Sequence, residues 1–374
     1  MMQASVLNND EKAIFALRSL YSKYGYTQYK MSKFEEYDLY VQNKDFLISD
    51  HIITFTDTNG KLMALKPDVT LSIIKNSKDL PGYVQKLYYN ENVYRVSKGT
   101  RSFKEIMQVG LECIGDIDAY CIYEVLLLAA ESLKEISPEA VLDISHLGIL
   151  SALLTQLSVS REAEEAILKC LSEKSLHELE ALCRANQVDP KVIEALKELL
   201  TTYGSPEEVL PRLDQLTRFP GVASAVAQLK EILAAFEGSP LKNMLRIDFS
   251  VVGNMNYYNG IVFKGFINGI PGSILSGGQY DKLMQKMGRR SGSIGFAVYL
   301  DLLERLGTSE EPYDADLVLL YNAETDLKTL AETIRQLTAA GKRVMAERSV
   351  PQKLRYRQLA TLEEGEVKLL ETNA

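Results

Sequence analysis

The chain has 374 residues, of which 46% are hydrophobic and 25% charged, a balance ordinary for a globular protein of two or three domains. A net charge of -8 argues against a large nucleic-acid-binding surface, because phosphate contacts need clustered Lys and Arg. No apolar run reaches the roughly 18 residues that a membrane-spanning helix needs. Residues 1–10 are polar and lack the apolar segment of a secretion signal, which predicts a cytoplasmic protein with no membrane association.

The sequence offers little support for a metal site or a disulfide framework. No Cys-x-x-Cys pair occurs among the four cysteines, which are Cys113, Cys121, Cys170 and Cys183. No carboxylate or cysteine stands at ligand spacing from the three histidines, which are His51, His146 and His177. We therefore expect reduced thiols, no metal and no cofactor.

The N-terminal third begins with a helix. Asn8 or Asn9 can cap it, apolar residues recur at helical spacing, and Gly25 ends it. An aromatic stretch over residues 26–40 favours β-strand, and residues 52–65 predict a hairpin with its turn at an Asn-Gly pair.

A pocket-lining segment is predicted where a strand gives way to a helix, at Lys66-Pro67-Asp68-Val69-Thr70. The residue before a proline is extended, and Pro67 suits the first turn of a short helix. Side chains of Asp68 and Thr70 therefore lie at a strand-to-helix junction. Two further strands are predicted over residues 85–94 and 103–114, joined by a basic loop.

The second of these strands carries polar or small residues on one face. Gln108, Gly110 and Glu112 have the same parity, so they point to one side of the sheet. Such a face is either half exposed to water or lines a polar cavity, and the pattern alone favours simple exposure. Asp116 then caps a long helix predicted over residues 117–136.

The composition changes near residue 150, where the chain becomes helical and rich in Leu, Ala, Glu and Lys. This change predicts a helical insertion over residues 150–240, between two parts of a sheet domain at residues 1–149 and 241–308. A strand-helix-strand pattern follows at residues 309–374. It predicts a short β-α-β segment, too small for a second full α/β domain.

Three blocks of β-prone residues combined with glycines lie in the second part of the sheet domain, at residues 256–263, 276–281 and 295–300. Apolar strands with glycines are typical of a strand-lined pocket, although Tyr-Asn-Gly is equally typical of a turn between strands. Tyr257 and Tyr258 are adjacent, and on a strand they would point to opposite faces. Only one of them is then expected to reach a given cavity.

Together these motifs resemble the catalytic core of a class II aminoacyl-tRNA synthetase, and within that class histidyl-tRNA synthetase. The similar segments are Pro67-Asp68-Val69-Thr70, Tyr94-Arg95, Gln108-Val109-Gly110-Leu111-Glu112, Tyr257-Tyr258-Asn259-Gly260-Ile261-Val262-Phe263, Ser276-Gly277-Gly278-Gln279-Tyr280-Asp281 and Gly295-Phe296-Ala297. The resemblance covers roughly residues 8–306. It implies an α+β fold with an antiparallel sheet of six or seven strands, flanking helices, a helical insertion and a dimer formed through the N-terminal region.

The sequence departs from the synthetase pattern where that pattern binds ATP and activates the amino acid. The family signature begins Arg-Gly-Leu-Asp-Tyr-Tyr, whereas Gly253-Asn254-Met255-Asn256 precedes the tyrosines here. The third motif ends in an arginine that binds ATP phosphate, and Leu302 occupies that position. Ser97 replaces the acidic residue that follows the second-motif arginine. Losing both arginines is expected to lower the adenylation rate by several orders of magnitude.

This combination resembles a family of synthetase paralogues, the regulatory subunits of ATP phosphoribosyltransferase. The resemblance implies no aminoacylation and no tRNA, assembly with a short catalytic subunit, and feedback inhibition by histidine as effector. An active histidyl-tRNA synthetase and another amino-acid-binding or adenylating paralogue are the alternatives. A neighbouring gene for a short ATP phosphoribosyltransferase would separate them.

The resemblance also implies a histidine site made of Asp68, Thr70, Arg95, Gln108, Glu112, Tyr257, Tyr258 and Tyr280. In this site Asp68, Thr70 and Gln108 hold the ammonium, and Asp68 is one methylene shorter than the family glutamate. Glu112 and Tyr258 face the imidazole. Arg95 either meets the ligand carboxylate or is a relic of the ATP site. Tyr280 either binds the ligand or simply packs. The pocket as a whole is either open to a ligand or collapsed and structural.

Overall fold

The computed structural model describes residues 7–43, 52–79, 82–96, 102–252, 255, 257–306, 313–363 and 365–373. The chain forms two compact units, Met1–Leu306 and Gly307–Ala374. Residues 97–101 of the predicted basic loop, which include Ser97, lie outside the described residues, and so do the departures at Gly253, Asn254 and Asn256. The boundaries proposed within the first unit, at residues 150 and 241, stay predictions.

The first unit contains both helices and strands. Its helices are α1 (Asn9–Lys23), α2 (Tyr37–Gln42), α3 (Thr70–Asn76), α4 (Ala119–Ile136), α5 (Leu147–Leu154), α6 (Arg161–Ser172), α7 (Leu176–Ala185), α8 (Pro190–Thr201), α9 (Pro206–Asp214), α10 (Val222–Ala234) and α11 (Asp281–Lys286), with 3-10 segments at Pro240–Met244 and Leu300–Leu306. Its strands are β1 (Thr27–Gln28), β2 (Phe34–Glu36), β3 (Thr54–Thr56), β4 (Leu62–Leu65), β5 (Val84–Val96), β6 (Phe103–Gly115), β7 (Ala140–His146), β8 (Tyr203–Gly204), β9 (Leu245–Asp248), β10 (Ile261–Ile267), β11 (Leu275–Gln279) and β12 (Gly292–Tyr299).

A large sheet organises this unit, with the strand order β1-β5-β6-β12-β11-β10-β7-β9-β8 across its described residues. Most neighbours are antiparallel, as expected, but β1 runs parallel to β5 and β7 parallel to β9. The expected six or seven strands were therefore too few, and the sheet is mixed. The two-residue strands β1 and β8 extend its edges, and β8 comes from the helical region.

One face of the large sheet carries the main hydrophobic core. Helices α1 and α4 pack there, and Leu17, Val125 and Leu128 are fully buried. Helix α1 begins with the predicted cap at Asn8. The predicted cap of α4 was wrong: Asp118 accepts the N–H of Cys121 at 2.8 Å, whereas Asp116 accepts the N–H of Gly82 at 2.7 Å.

A second, small sheet has the order β2-β4-β3. It includes the predicted hairpin, whose turn places Gly60 at φ 81°. The strand predicted over residues 26–40 was largely wrong, since only Thr27–Gln28 and Phe34–Glu36 are strands and Tyr37–Gln42 form helix α2. Tyr40 is fully buried in a second core cluster with Ala64. Burial of one helical face outweighs the β preference of these aromatic residues.

The second unit contains β13 (Ala315–Leu320), α12 (Leu327–Ala339), β14 (Val344–Glu347), β15 (Tyr356–Glu363) and β16 (Glu366–Thr372). Its sheet has the order β14-β13-β15-β16. The strands β13 and β14 and the helix α12 agree with the predicted β-α-β pattern. The hairpin of β15 and β16 was not predicted. Leu330 of α12 is buried against Leu317, Ala360 and Leu362.

The described part of the chain contains neither a membrane-spanning helix nor a cluster of metal ligands. None of its helices combines the length and the apolar character that crossing a membrane requires. Within the same ranges, no group of three or more His, Cys, Asp or Glu residues is arranged to hold a metal ion. The four cysteines are buried free thiols.

Candidate functional site

The second face of the large sheet carries small residues at its centre. In one row Glu112 of β6 lies opposite Gly295 of β12, followed by Gly278 of β11 and Val262 of β10. Two positions along each strand, a parallel row consists of Gly110, Ala297, Ser276 and Lys264. Side chains two positions apart share a face, so both rows face the same side. Their small members leave a hollow above the middle strands.

This hollow is a cavity of about 450 Å³, within the size range of small-molecule sites. All eight residues predicted for the site line it: Asp68, Thr70, Arg95, Gln108, Glu112, Tyr257, Tyr258 and Tyr280. They come from β5, β6, the start of α3, the end of β11 and the segment before β10. Their convergence rests on tertiary structure, and binding of histidine by them stays a prediction.

The polar face of β6 is buried. Gln108 is 3% exposed and Glu112 is 2% exposed, so the interpretation of this face as half exposed was wrong. Segments distant in sequence cover it, including the Asp68–Thr70 junction and the residues before β10. The alternative interpretation, a strand that lines a polar cavity, is the one the structure supports.

Tyr257 and Tyr258 both reach the cavity, so the prediction that only one of them would do so was wrong. They precede β10, which begins at Ile261, so the alternation of a strand does not apply to them. The rings of Tyr257 and Tyr258 lie 4.5 Å apart at 65°, in an edge-to-face arrangement. Together they form an aromatic wall beside Tyr280, whose ring centroid is 5.7 Å from that of Tyr257.

Glu112 lies at the centre of the hydrogen bonds in the cavity. The Thr70 hydroxyl donates to its Oε1 at 2.7 Å, and the Tyr280 hydroxyl donates to its Oε2. Tyr280 therefore does more than pack. A Cβ atom at Gly295 would overlap Oε2, which explains the glycine opposite Glu112. Burial raises the pKa of Glu112 to about 8, and its hydroxyl donors only partly offset this effect.

The raised pKa makes Glu112 a source of pH-dependent stability. The unfolded chain loses this proton near pH 4.5, whereas the folded chain holds it up to about pH 8. The free energy of unfolding therefore falls as pH rises between these values. We expect Glu112→Gln to raise the melting temperature of the ligand-free chain by several degrees relative to wild type at pH 8, with the gap closing toward pH 5.

Thermal unfolding followed by circular dichroism at several pH values would measure this gap. Glu105→Gln is the matched control, because Glu105 lies on the same strand and is exposed. Its melting temperature should follow that of wild type. A gap for Glu112→Gln that stays constant with pH would contradict the expectation.

Asp68 and Arg95 stabilise the junction that carries Thr70. Asp68 Oδ1 accepts the N–H of Leu71 at 2.9 Å, so the helix begins at Thr70 rather than at Pro67 as predicted. Arg95 Nε donates to the Pro67 carbonyl at 3.1 Å. Burial raises the pKa of Asp68, and the nearby Arg95 guanidinium works in the opposite direction.

Four polar side chains that line the cavity were not predicted from the sequence: Tyr89, Lys264, Ser276 and Tyr299. Tyr89 lies opposite Gly110, and a Cβ atom there would lie 2.5 Å from the Tyr89 hydroxyl oxygen. Ser276 and Tyr299 share a hydrogen bond of 2.8 Å. Lys264 lies two positions after Val262 and therefore on the same face of β10. That this face is the one toward the cavity follows only from the pairing of β10 with β11.

The chemistry of the cavity suits a small ligand that carries both positive and negative charge. The buried carboxyl group of Glu112 and the partly buried one of Asp68 lie beside tyrosine rings, which favour cations. Two cationic side chains, Arg95 and Lys264, also line it. Leu302, at the position of the synthetase arginine, packs instead against the main hydrophobic core.

Comparison with known proteins agrees with the sequence motifs. A family model described as histidyl-tRNA synthetase matches residues 5–303. A protein of Oceanobacillus iheyensis named ATP phosphoribosyltransferase regulatory subunit is 26% identical over 340 residues, which cover 88% of this chain and 82% of the relative. A protein of the same name from Caldanaerobacter subterraneus is 29% identical over 76% of this chain and 75% of its own length.

Solved structures share the fold. An ATP phosphoribosyltransferase regulatory subunit/histidyl-tRNA synthetase from Bacillus halodurans has a TM-score of 0.79 at 23% identity, covering 94% of this chain and 93% of that chain. A chain of the ATP phosphoribosyl transferase (HisG:HisZ) complex from Thermotoga maritima has a TM-score of 0.61 at 19% identity, covering 77% of this chain and 96% of that chain. The chain thus belongs to the histidyl-tRNA synthetase family, and curated relatives of it are ATP phosphoribosyltransferase regulatory subunits.

Proposed function

We propose that this chain is a non-catalytic regulatory subunit of ATP phosphoribosyltransferase, the first enzyme of histidine biosynthesis. In this role it assembles in the cytoplasm with a short catalytic subunit. The observation that carries the proposal is a retained polar pocket around Glu112 in a chain with Leu302 at the ATP-binding arginine position. The names of the curated relatives support the same role.

Histidine is the effector that fits the pocket. A Glu112 carboxylate oxygen can accept from an imidazole N–H, and the Tyr258 hydroxyl can serve the second ring nitrogen. Asp68, Thr70 and Gln108 supply oxygen acceptors for the ammonium. Thr70 Oγ1 can accept while its proton is donated to Glu112. An apolar side chain would leave the buried groups near Glu112 unpaired, which gives selectivity for histidine.

A phosphoribosyltransferase assay tests the proposal directly. The short catalytic subunit is assayed alone, with this chain, and with this chain plus histidine. We expect a complex whose activity falls when histidine is added and does not fall in this way when the chain is absent. A catalytic subunit that neither binds this chain nor changes its response to histidine would refute the proposal.

Self-association is expected because exposed apolar side chains cluster on the N-terminal region. Phe34 is 47% exposed and Phe55 38% exposed, with their rings 5.3 Å apart. Covering such a patch is favourable. We expect a dimer by light scattering at micromolar concentration, a larger particle with the catalytic subunit, and a weaker dimer for Phe34→Ser combined with Phe55→Ser.

Leu327→Ser provides the control, because Leu327 is 77% exposed and lies in the second unit. This variant should associate like wild type. A wild-type chain that stays monomeric and does not enlarge with the catalytic subunit would contradict the expected assembly.

A further inference from the structure

The two cationic side chains of the cavity differ in how their charges are used. Arg95 donates to the Pro67 carbonyl, and its guanidinium acts on the neighbouring Asp68 carboxyl. Lys264 makes no hydrogen bond or ion pair within the described ranges. Asp143 lies opposite it on β7, where burial raises the pKa of Asp143 and the Lys264 charge partly offsets that rise, but the two side chains do not form an ion pair. Lys264 is therefore the cation in the cavity that is available to an added anion.

Lys264 lies on the far side of the cavity from the carboxyl groups of Asp68 and Glu112. The Glu112 carboxyl extends over Gly295 of β12, and β10 is two strands further along the sheet. At a strand spacing of about 4.8 Å, the backbone of β10 is roughly 10 Å from this carboxyl. The Lys264 side chain projects from β10 into the same cavity and shortens this gap.

The charges of the cavity set the orientation of an amino acid within it. Asp68 and Glu112 lie at one end, where the proposed contacts to the ammonium and the imidazole use both carboxyl groups, so the ligand carboxylate is directed away from that end. At the opposite end, Lys264 stands in the same row as Ser276, whose hydroxyl is bonded to that of Tyr299. This end offers a cation and hydroxyl donors, which are the groups that a carboxylate binds.

We propose that Lys264 binds the α-carboxylate of the histidine held in this cavity. The inference rests on the proposed function, in which the imidazole lies on Glu112. With the ring fixed there, the carboxylate points across the sheet toward β10, where Lys264 lies in the parallel row. Lys264 thus separates histidine from imidazole compounds that lack a carboxylate.

Calorimetry on the full chain with two ligands tests this assignment. L-histidinol keeps the ring and the ammonium of L-histidine but carries a neutral alcohol in place of the carboxylate. For Lys264→Met we expect the Kd for histidine to rise roughly 10- to 100-fold, the usual effect of losing a charge-assisted hydrogen bond. Histidinol should bind to this variant as it binds to wild type. Lys264→Arg should keep most of the histidine affinity.

Lys230→Met is the matched control, because Lys230 pairs with Asp214 on the exposed helical surface. It should leave both affinities unchanged. An equal loss of histidine and histidinol affinity in Lys264→Met would overturn the assignment, and so would an unchanged histidine affinity. A selective loss of histidine affinity in Arg95→Gln, with Lys264→Met normal, would assign the carboxylate to Arg95. A wild-type chain that binds neither ligand would refute the proposed effector site itself.

Discussion

Exchange of pyrophosphate into ATP that depends on histidine is expected to be undetectable for the isolated chain. Attack on the α-phosphate builds negative charge, which a synthetase neutralises with arginines. At one of these positions Leu302 packs on the hydrophobic core. At the other the sequence has Gly253. Loss of two such groups removes roughly several kcal/mol of transition-state stabilisation, or several orders of magnitude in rate.

The assay uses the purified chain beside an active histidyl-tRNA synthetase as a positive control. Leu302→Arg alone should not restore exchange, because catalytic groups that act as a unit are strongly non-additive. Leu302 also lies in the 3-10 segment Leu300–Leu306 against apolar neighbours, so an arginine there must first displace its side chain from the core. Robust exchange by the wild-type chain would refute the non-catalytic role.

Eight of the residues that line the pocket could be predicted from motifs, but their environment could not. Parity placed Gln108 and Glu112 on one face of β6, and the structure agrees. Parity does not say what covers that face, because the covering segments come from residues near 68 and 257. Burial of Glu112 is a consequence of tertiary structure, and so is its raised pKa.

The prediction for Tyr257 and Tyr258 failed for a local reason. The rule that adjacent residues point to opposite faces holds on a strand, and both residues precede the first residue of β10. Lys264 is a residue whose place in the cavity could not be predicted from the sequence. One lysine in an apolar strand is compatible with an exposed edge, and only the pairing of β10 with β11 and β7 places it beside the cavity.

Glu112→Gln is expected to weaken histidine inhibition of the assembled complex by roughly 10- to 100-fold, the range for a hydrogen bond to a charged group. Glutamine imitates the protonated acid that burial favours in the empty pocket. It cannot become the carboxylate that an imidazole N–H or an imidazolium would bind most strongly. Phosphoribosyl transfer without histidine should stay almost unchanged, because the proposal assigns no transferase chemistry to this chain.

Two further variants bracket this effect. Tyr258→Phe should weaken inhibition more mildly, by about 1 kcal/mol or roughly fivefold, the net value of one neutral hydrogen bond. Glu105→Gln, on the exposed part of β6, should leave inhibition unchanged. By linkage, an inhibited assembly that histidine favours must bind histidine more tightly than the active one, which calorimetry on the chain and the complex would reveal. Unchanged inhibition in the Glu112→Gln complex would instead place the sensor on the catalytic subunit or at the interface.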